Sequence, residues 1–142
     1  NNCVDFLSEQ QLDGVHGATD ITGFGLAGHS MQMALASKVA FNYTYASLPL
    51  FEQTLNCLER KHLTRAHRGN QEYTQDKILL NETLSELERL VIFDPQTSGG
   101  LLLSVSEQQA DSIVETLHPY FPGTAIVGEV VEPGQAWSVS VS

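Results

Sequence analysis

Basic residues are scarce in this sequence of 142 residues, which has 7 Lys and Arg against 17 Asp and Glu and a formal net charge of −10 at pH 7. Nucleic-acid-binding surfaces are built from clustered Lys and Arg, so this balance argues against one. The same charge would repel an anionic ligand unless a cation accompanied it.

Cysteines and long apolar stretches are also few. The 2 cysteines, Cys3 and Cys57, have neither the pattern of a disulfide framework nor metal-ligand spacing, and we interpret them as ordinary thiols. No apolar run approaches the length of a membrane span, and the sequence does not open with a basic and then apolar leader. We therefore expect a cytoplasmic protein that does not contact membranes.

The length and composition are those of one ordinary domain. Apolar residues make up 42% of the sequence, which is normal for a globular protein with a full core. The sequence begins with Asn1 and not with Met, and an amphipathic pattern starts at once. We expect residues 1–142 to be a single domain from a longer protein.

Residue spacing predicts alternating helices and strands. Apolar residues recur at helical spacing between Phe24 and Leu35 and predict a helix over about 23–37. Asp20 or Thr22 would lie at its N-terminal end. Further helices are predicted over 3–12, after Pro49 with Phe51, Leu55 and Leu58 on one apolar face, from the capping-box pattern Thr83-Leu84-Ser85-Glu86 to Leu90, and from Ser106 onwards. Strands are predicted over 39–43, 101–105, 124–131 and 136–141.

The arrangement of these elements indicates the fold class. The last two strands flank the turn Glu132-Pro133-Gly134-Gln135, which predicts a hairpin and therefore a mixed sheet. Residues 61–80 are polar without a clear period and predict a long loop. We expect an α+β fold in which helices pack on a mixed sheet of about four strands.

Two glycine-rich segments carry the chemistry of the sequence. Segment A, residues 17–29, reads GATDITGFGLAGH, and segment B, residues 94–100, reads DPQTSGG ahead of an apolar run. Each has a carboxylate, hydroxyl side chains and glycines that let the backbone approach a ligand closely. This is the chemistry that holds a metal and phosphate oxygens. Neither segment has a nucleophile or general base, so the chain looks like half of an active site.

Asp20 is the candidate metal ligand in segment A. Its carboxylate, beside a glycine-rich helix start, could supply a hard oxygen ligand for Mg²⁺. Asp is also common as a helix N-cap for purely structural reasons, and the local sequence leaves both roles open.

Segment B offers candidate anion-binding residues. Its hydroxyls and paired glycines could form a backbone nest for a phosphate group. An Asx-type turn that leads into a buried strand is the structural alternative. The candidates are Thr97, Ser98, Gly99 and Gly100.

Residues 23–28 also fit the pattern GxGxxG, but we reject a dinucleotide-binding fold. That fingerprint needs an apolar strand immediately before the glycines and an acidic residue about twenty positions later. Residues 13–20 predict a loop, and no Asp or Glu stands at the later position. The 5 histidines lack the spacing of a metal site, and the basic residues between Arg60 and Arg68 predict a solvated surface.

Both segments resemble a known family. ATDITGFGLAGH at 18–29 and DPQTSGGLL at 94–102 are similar to the C-terminal domain of selenophosphate synthetase, also called selenide, water dikinase. The resemblance covers nearly the whole chain, including residues 45–50 and the polar region around Asn70. Segment B alone is similar to the wider superfamily of aminoimidazole ribonucleotide synthetase-like ATP enzymes. The chain lacks the Pro-Gly-Gly that many relatives have near His67, so the conformation there stays open.

The resemblance implies an activity for a longer protein, in which ATP, selenide and water give selenophosphate, AMP and inorganic phosphate. It implies Asp20 as a Mg²⁺ ligand, a homodimer, and an N-terminal domain that holds most of the nucleotide and the catalytic Cys (or selenocysteine) and Lys. Cys3 and Cys57 do not match that catalytic segment, so we expect the chain alone to be inactive. Two alternatives are the same domain of a sibling enzyme, such as aminoimidazole ribonucleotide synthetase or thiamine-phosphate kinase, and a non-catalytic interaction module.

Overall fold

The computed structural model describes residues 14–133 and 136–142, so the predicted helix over 3–12 lies outside the described residues. In chain order the elements are β1 (Val15–Asp20), α1 (Gly25–Ser37), β2 (Ala40–Tyr43), a 3-10 turn (Tyr45–Ser47), α2 (Thr54–Glu59), α3 (Arg65–Thr74), β3 (Ile78–Leu80), α4 (Glu86–Phe93), β4 (Leu101–Val105), α5 (Glu107–Leu117), β5 (Gly128–Val131) and β6 (Val139–Val141). No helix in this part of the chain has the length and apolarity that a membrane span requires.

The strands form two sheets. β1 and β4 make an antiparallel pair, and the other four strands form a mixed sheet in the order β3-β6-β2-β5. β6 runs parallel to β2 and to β3, and β5 runs antiparallel to β2. The α+β class and the four-stranded mixed sheet are confirmed. The predicted hairpin is wrong, because β2 lies between β5 and β6 and pairs with both.

The core lies between α1, α4 and one face of the mixed sheet. Successive strand residues point to opposite faces, so alternate positions of β2 and β6 face the helices. The buried cluster consists of Ala27, Met31 and Ala34 of α1, Phe41 and Tyr43 of β2, Val139 and Val141 of β6, and Leu84, Ile92 and Phe93. The predictions of α1, β4 and α5 are confirmed to within two residues.

β1 corrects the prediction of a loop over residues 13–20. Along β1 partly buried and exposed residues alternate, and the strand pairs with β4 so that Asp20 lies opposite Leu101. Gly17 makes room for α1, since a Cβ there would lie 2.8 Å from Cε of Met33. A strand therefore does precede the glycines. The dinucleotide-binding fold is still excluded, because β1 and β2 belong to different sheets and form no parallel βαβ unit.

α3 and β3 correct the prediction of a loop over residues 61–80. α3 packs against α1 and α4 and buries three polar residues at helical spacing, His67, Asn70 and Thr74. A search for apolar periodicity does not find such a helix, because its buried face is polar.

The capping box of α4 lies two residues later than predicted. Glu88 N–H donates to Oγ of Ser85 at 3.3 Å, and Ser85 N–H donates to Oε2 of Glu88 at 2.7 Å. Thr83 is therefore not the N-cap, and the helix continues past Leu90 to Phe93. The reciprocal pair satisfies two of the N–H groups that a helix start leaves free.

The apolar face predicted for α2 is also wrong. The helix begins at Thr54, and of the predicted face only Leu58 is buried, with Phe51 85% and Leu55 40% exposed. The predicted strands over 124–131 and 136–141 are shorter in the structure, as β5 and β6.

A buried hydrogen bond in the core predicts a loss of stability at high pH. The hydroxyls of Tyr43 and Ser30 lie 2.8 Å apart. Burial raises the pKa of Tyr43 from 10.0 to about 12, and the bond to Ser30 opposes that rise. The unfolded chain ionises first, so the contribution is intact below pH 10 and is lost as the pH rises to about 12. We expect a loss of roughly 3 kcal/mol in the free energy of unfolding.

Urea unfolding between pH 9 and pH 12 measures this loss. Tyr43→Phe should lower stability near neutral pH by about 1 kcal/mol, because Ser30 loses its partner. It should also reduce the fall in the free energy of unfolding at high pH. Tyr73→Phe is the control, because Tyr73 is 49% exposed, and that variant should keep the fall. An equal fall in both variants would show that Tyr43 is not its source.

Candidate metal and phosphate site

Segments A and B lie side by side. The β1–β4 pairing brings the end of segment B to Asp20, and Ile21 N–H donates to the Gly100 carbonyl at 2.9 Å. A second link is the 3.0 Å hydrogen bond from Gln96 N–H to the Thr22 carbonyl. Two motifs far apart in sequence therefore form one surface.

Two glycines make this close approach possible. Gly25 has φ +66°, and a Cβ there would lie 2.8 Å from the Asp94 carbonyl oxygen. A Cβ on Gly99 would collide with the Ile21 carbonyl oxygen. By contrast, Gly23 and Gly100 have no atom within 4 Å of the corresponding position. The first pair is needed for the contact between the segments, whereas the second pair borders open space.

Asp20 is exposed at the end of β1, and within the described residues no hydrogen bond or salt bridge engages its carboxylate. The N-cap of α1 is Phe24, without a side-chain capping bond. The alternative role of Asp20 as an N-cap is therefore wrong. Oγ1 of Thr22, ahead of the same helix, lies 3.0 Å from Nε2 of His29.

The donor set at Asp20 fits one position in the coordination sphere of Mg²⁺. This ion is usually held by one or two carboxylates together with phosphate oxygens and water. Across residues 14–133 and 136–142, no group of three or more His, Cys, Asp or Glu is placed to bind a metal. A centre with three or more such ligands would therefore need residues from outside the described part of the chain.

Segment B presents hydroxyls and backbone N–H groups. Thr97 and Ser98 are exposed. Ile21 and Gln96 use their N–H groups to join the segments, but no backbone hydrogen bond is present from the N–H groups of 97–100 within the described chain. Successive free N–H groups of this kind can form an anion-binding concavity.

Asp94 precedes these residues as the C-cap of α4, and its N–H donates to the Val91 carbonyl at 3.2 Å. In the described residues its carboxylate makes no hydrogen bond of an Asx turn. Burial raises the pKa of Asp94, and the nearby His67 opposes that rise.

Asn70 of α3 joins segment A to the residue immediately before segment B, and it is not among the site residues predicted from the sequence. Its Nδ2 donates to the Gly23 carbonyl at 2.9 Å and to the Phe93 carbonyl at 3.0 Å, and the residue is 4% exposed. One signal was available: His67, Asn70 and Thr74 recur at helical spacing, as a polar stripe.

Two histidines make contacts around the site: His67 of α3, and His29, the last residue of segment A. The buried His67 donates from Nε2 to the Leu90 carbonyl at 2.9 Å, since a carbonyl oxygen can only accept. His29 borders a groove of about 310 Å³ between β1 and α1, together with Thr19 and Gln32. The groove opens next to the end of β1.

The family comparison agrees with this fold. A family model described as "AIR synthase related protein, C-terminal domain" matches residues 1–137. The chain belongs to this family. As an AIR synthase related domain it has the helices and mixed sheet described above, and the resemblance noted in both segments is confirmed.

Two curated relatives of this AIR synthase related domain share one name. "Selenide, water dikinase" of Nitrosomonas eutropha is 48% identical over 130 residues, which cover 92% of this chain and 37% of the relative. The protein of that name from Bdellovibrio bacteriovorus is 46% identical over 131 residues, with the same coverage of 92% and 37%. The chain therefore spans a little over a third of the length of these relatives.

Solved structures show the same fold. Hydrogenase maturation protein HypE superimposes with a TM-score of 0.58 at 18% identity, over 93% of this chain and 33% of that chain. HypE in complex with ATP gives a TM-score of 0.56 at 18% identity, over 93% and 32%. At 18% sequence identity, these superpositions show that the chain and HypE share a fold.

Proposed function

We propose that this chain is the C-terminal domain of a selenide, water dikinase, which converts ATP, selenide and water to selenophosphate, AMP and inorganic phosphate. The observation that carries the proposal is the pairing of Asp20 with the end of segment B: among the described residues the Asp20 carboxylate has no partner, and the N–H groups of 97–100 make no backbone hydrogen bond. The names of the relatives support selenide as the substrate and make a sibling enzyme the weaker candidate.

In this proposal Asp20 supplies one oxygen ligand to Mg²⁺, and the other ligands come from ATP phosphates, water and the rest of the protein. The bound ion neutralises phosphate charge during phosphoryl transfer. The hydroxyls of Thr97 and Ser98 and the N–H groups of Gly99 and Gly100 bind and orient phosphate oxygens. The net charge of −10 also favours a nucleotide that arrives together with a cation.

The remaining catalytic groups would lie in an N-terminal domain of the longer protein. Segments A and B contain no Cys or Lys, and Cys57 is an exposed thiol on α2, outside both. We propose that the other domain supplies the Cys or selenocysteine, the Lys and most of the nucleotide site, and that the complete protein is a homodimer. A cytoplasmic location completes the proposal, because thiols, and by the same chemistry selenide, stay reduced there.

Phosphorus NMR of the complete protein tests the reaction. With ATP, Mg²⁺ and selenide we expect selenophosphate, AMP and inorganic phosphate in equal amounts, and no turnover when selenide is omitted. ATP consumption independent of selenide would reject the proposal in favour of a sibling enzyme. Turnover by residues 1–142 alone would overturn the assignment of the catalytic groups to the other domain.

A further inference from the structure

The amide of Asn70 bridges two backbone carbonyls that belong to different parts of the site. Gly23 lies in segment A, and Phe93 is the last residue of α4, immediately before segment B. The two donor distances are 2.9 Å and 3.0 Å. Both partners are carbonyls, which only accept, so the amide nitrogen must face them, with one hydrogen directed to segment A and the other to the residue that precedes segment B.

The Phe93 carbonyl depends on this bond more than the Gly23 carbonyl does. The last carbonyls of a helix have no intrahelical N–H partner, and Phe93 is buried, so leaving its carbonyl without a donor costs free energy. Gly23 lies in an exposed turn ahead of α1, and there the bond holds segment A against α3. Of the links described above between segment A and residues 93–100, this one alone comes from a side chain and can be removed by substitution.

We propose that Asn70 is a positioning residue, which fixes the separation between the Asp20 carboxylate and the phosphate-binding backbone of segment B. This inference rests on the proposed function. Asn70 is 4% exposed and acts through the two segments, without contact to substrate. Its loss lets segments A and B move apart, so that Mg²⁺ and the phosphates no longer meet their ligands in one geometry.

The test compares Asn70→Ala with Thr74→Val in the complete protein. Thr74 is a matched control, since it is fully buried on the same helix and its Oγ1 donates to the Asn70 carbonyl at 2.8 Å. Replacing it removes a buried hydrogen bond of α3 without touching either segment. Asn70→Ser is a second variant, for use if Asn70→Ala does not fold.

The first readout is hydrogen exchange of the ligand-free protein, followed by mass spectrometry of peptides over 17–29 and 91–103. Asn70→Ala should raise exchange roughly tenfold at Ile21 and Gln96, whose N–H groups join the segments. Thr74→Val should leave both peptides within about twofold of the original protein. This readout needs no turnover, so it decides the link between Asn70 and the segments even if the proposed reaction is wrong.

The second readout is the Mg²⁺ dependence of turnover, well below the melting temperature of each variant. Asn70→Ala should lower kcat about 10- to 100-fold and raise the half-saturating Mg²⁺ concentration, with a smaller change in KM for ATP. For Thr74→Val, kcat and the half-saturating Mg²⁺ concentration should stay within about twofold of the values of the original protein. Unchanged exchange, equal effects of the two variants, or raised exchange with normal Mg²⁺ dependence would each overturn the positioning role.

Discussion

Asp20→Asn should remove most of the activity of the complete protein and leave its stability unchanged. The substitution keeps the shape of the side chain but removes the charge that a Mg²⁺ ligand supplies. We expect kcat/KM to fall about 100-fold or more, which corresponds to losing several kcal/mol of metal-assisted stabilisation. The carboxylate is exposed and makes no described hydrogen bond, so the free energy of unfolding should stay within about 0.5 kcal/mol.

Selenophosphate formation by phosphorus NMR, together with urea unfolding, measures both effects. Asp111→Asn is the control, because it removes an exposed carboxylate from α5, outside both segments. It should keep full activity. Full activity of Asp20→Asn at limiting Mg²⁺ would remove Asp20 from the metal site. It would not return the residue to the role of a helix cap, because Phe24 occupies that position.

Gly99→Ala and Gly100→Ala should differ sharply, although the residues are neighbours. A Cβ at 99 collides with the backbone carbonyl of Ile21, which cannot rotate away as a flexible side chain could. We expect Gly99→Ala to separate the segments, to cost about 1–3 kcal/mol of stability and to lower kcat. At 100 the same Cβ meets no atom within 4 Å, so stability should stay within about 0.5 kcal/mol.

The pair also tests the phosphate role of segment B. If the backbone at Gly100 approaches a phosphate, the Cβ that Gly100→Ala introduces should raise KM for ATP even though stability is unchanged. Urea unfolding and ATP titration of both variants separate these effects. Normal stability of Gly99→Ala would contradict the close contact with Ile21. Normal kinetics of Gly100→Ala would place the phosphate elsewhere.

The sequence predicts the elements whose signals are local. α1 and α5 have apolar faces at helical spacing, and β4 is an apolar run after a glycine turn, so each could be read without knowledge of the rest of the chain. The prediction of a hairpin was wrong because a turn signal does not indicate whether a third strand lies between the two flanking strands. In the structure β2 lies between β5 and β6. The prediction of a loop over 13–20 was wrong because His16, Gly17 and Asp20 obscure the pattern of a strand, and because the partner strand β4 lies far along the chain.

In the candidate site, too, the sequence predicts what depends on local residues and does not predict what depends on distant contacts. The residue types of Asp20 and segment B point to metal and phosphate chemistry without a structure. Their adjacency does not, because it depends on the non-local β1–β4 pairing. Asn70 was missed for a different reason: its burial is on a helix face with no apolar residue to mark it, and its two partners are backbone atoms, which leave no trace in a sequence.

The central place of β6 has a consequence for the order of folding. β6 alone connects β3 to β2, and its Ser140 hydroxyl donates to Oδ1 of Asn42, 98 residues away in sequence. The four-stranded sheet therefore cannot close until 139–141 have been synthesised. Contacts of such separation slow folding, because a long loop must close before they form. On the ribosome, β2 and β3 would have unpaired edges until β6 is made, and such edges expose a nascent chain to aggregation.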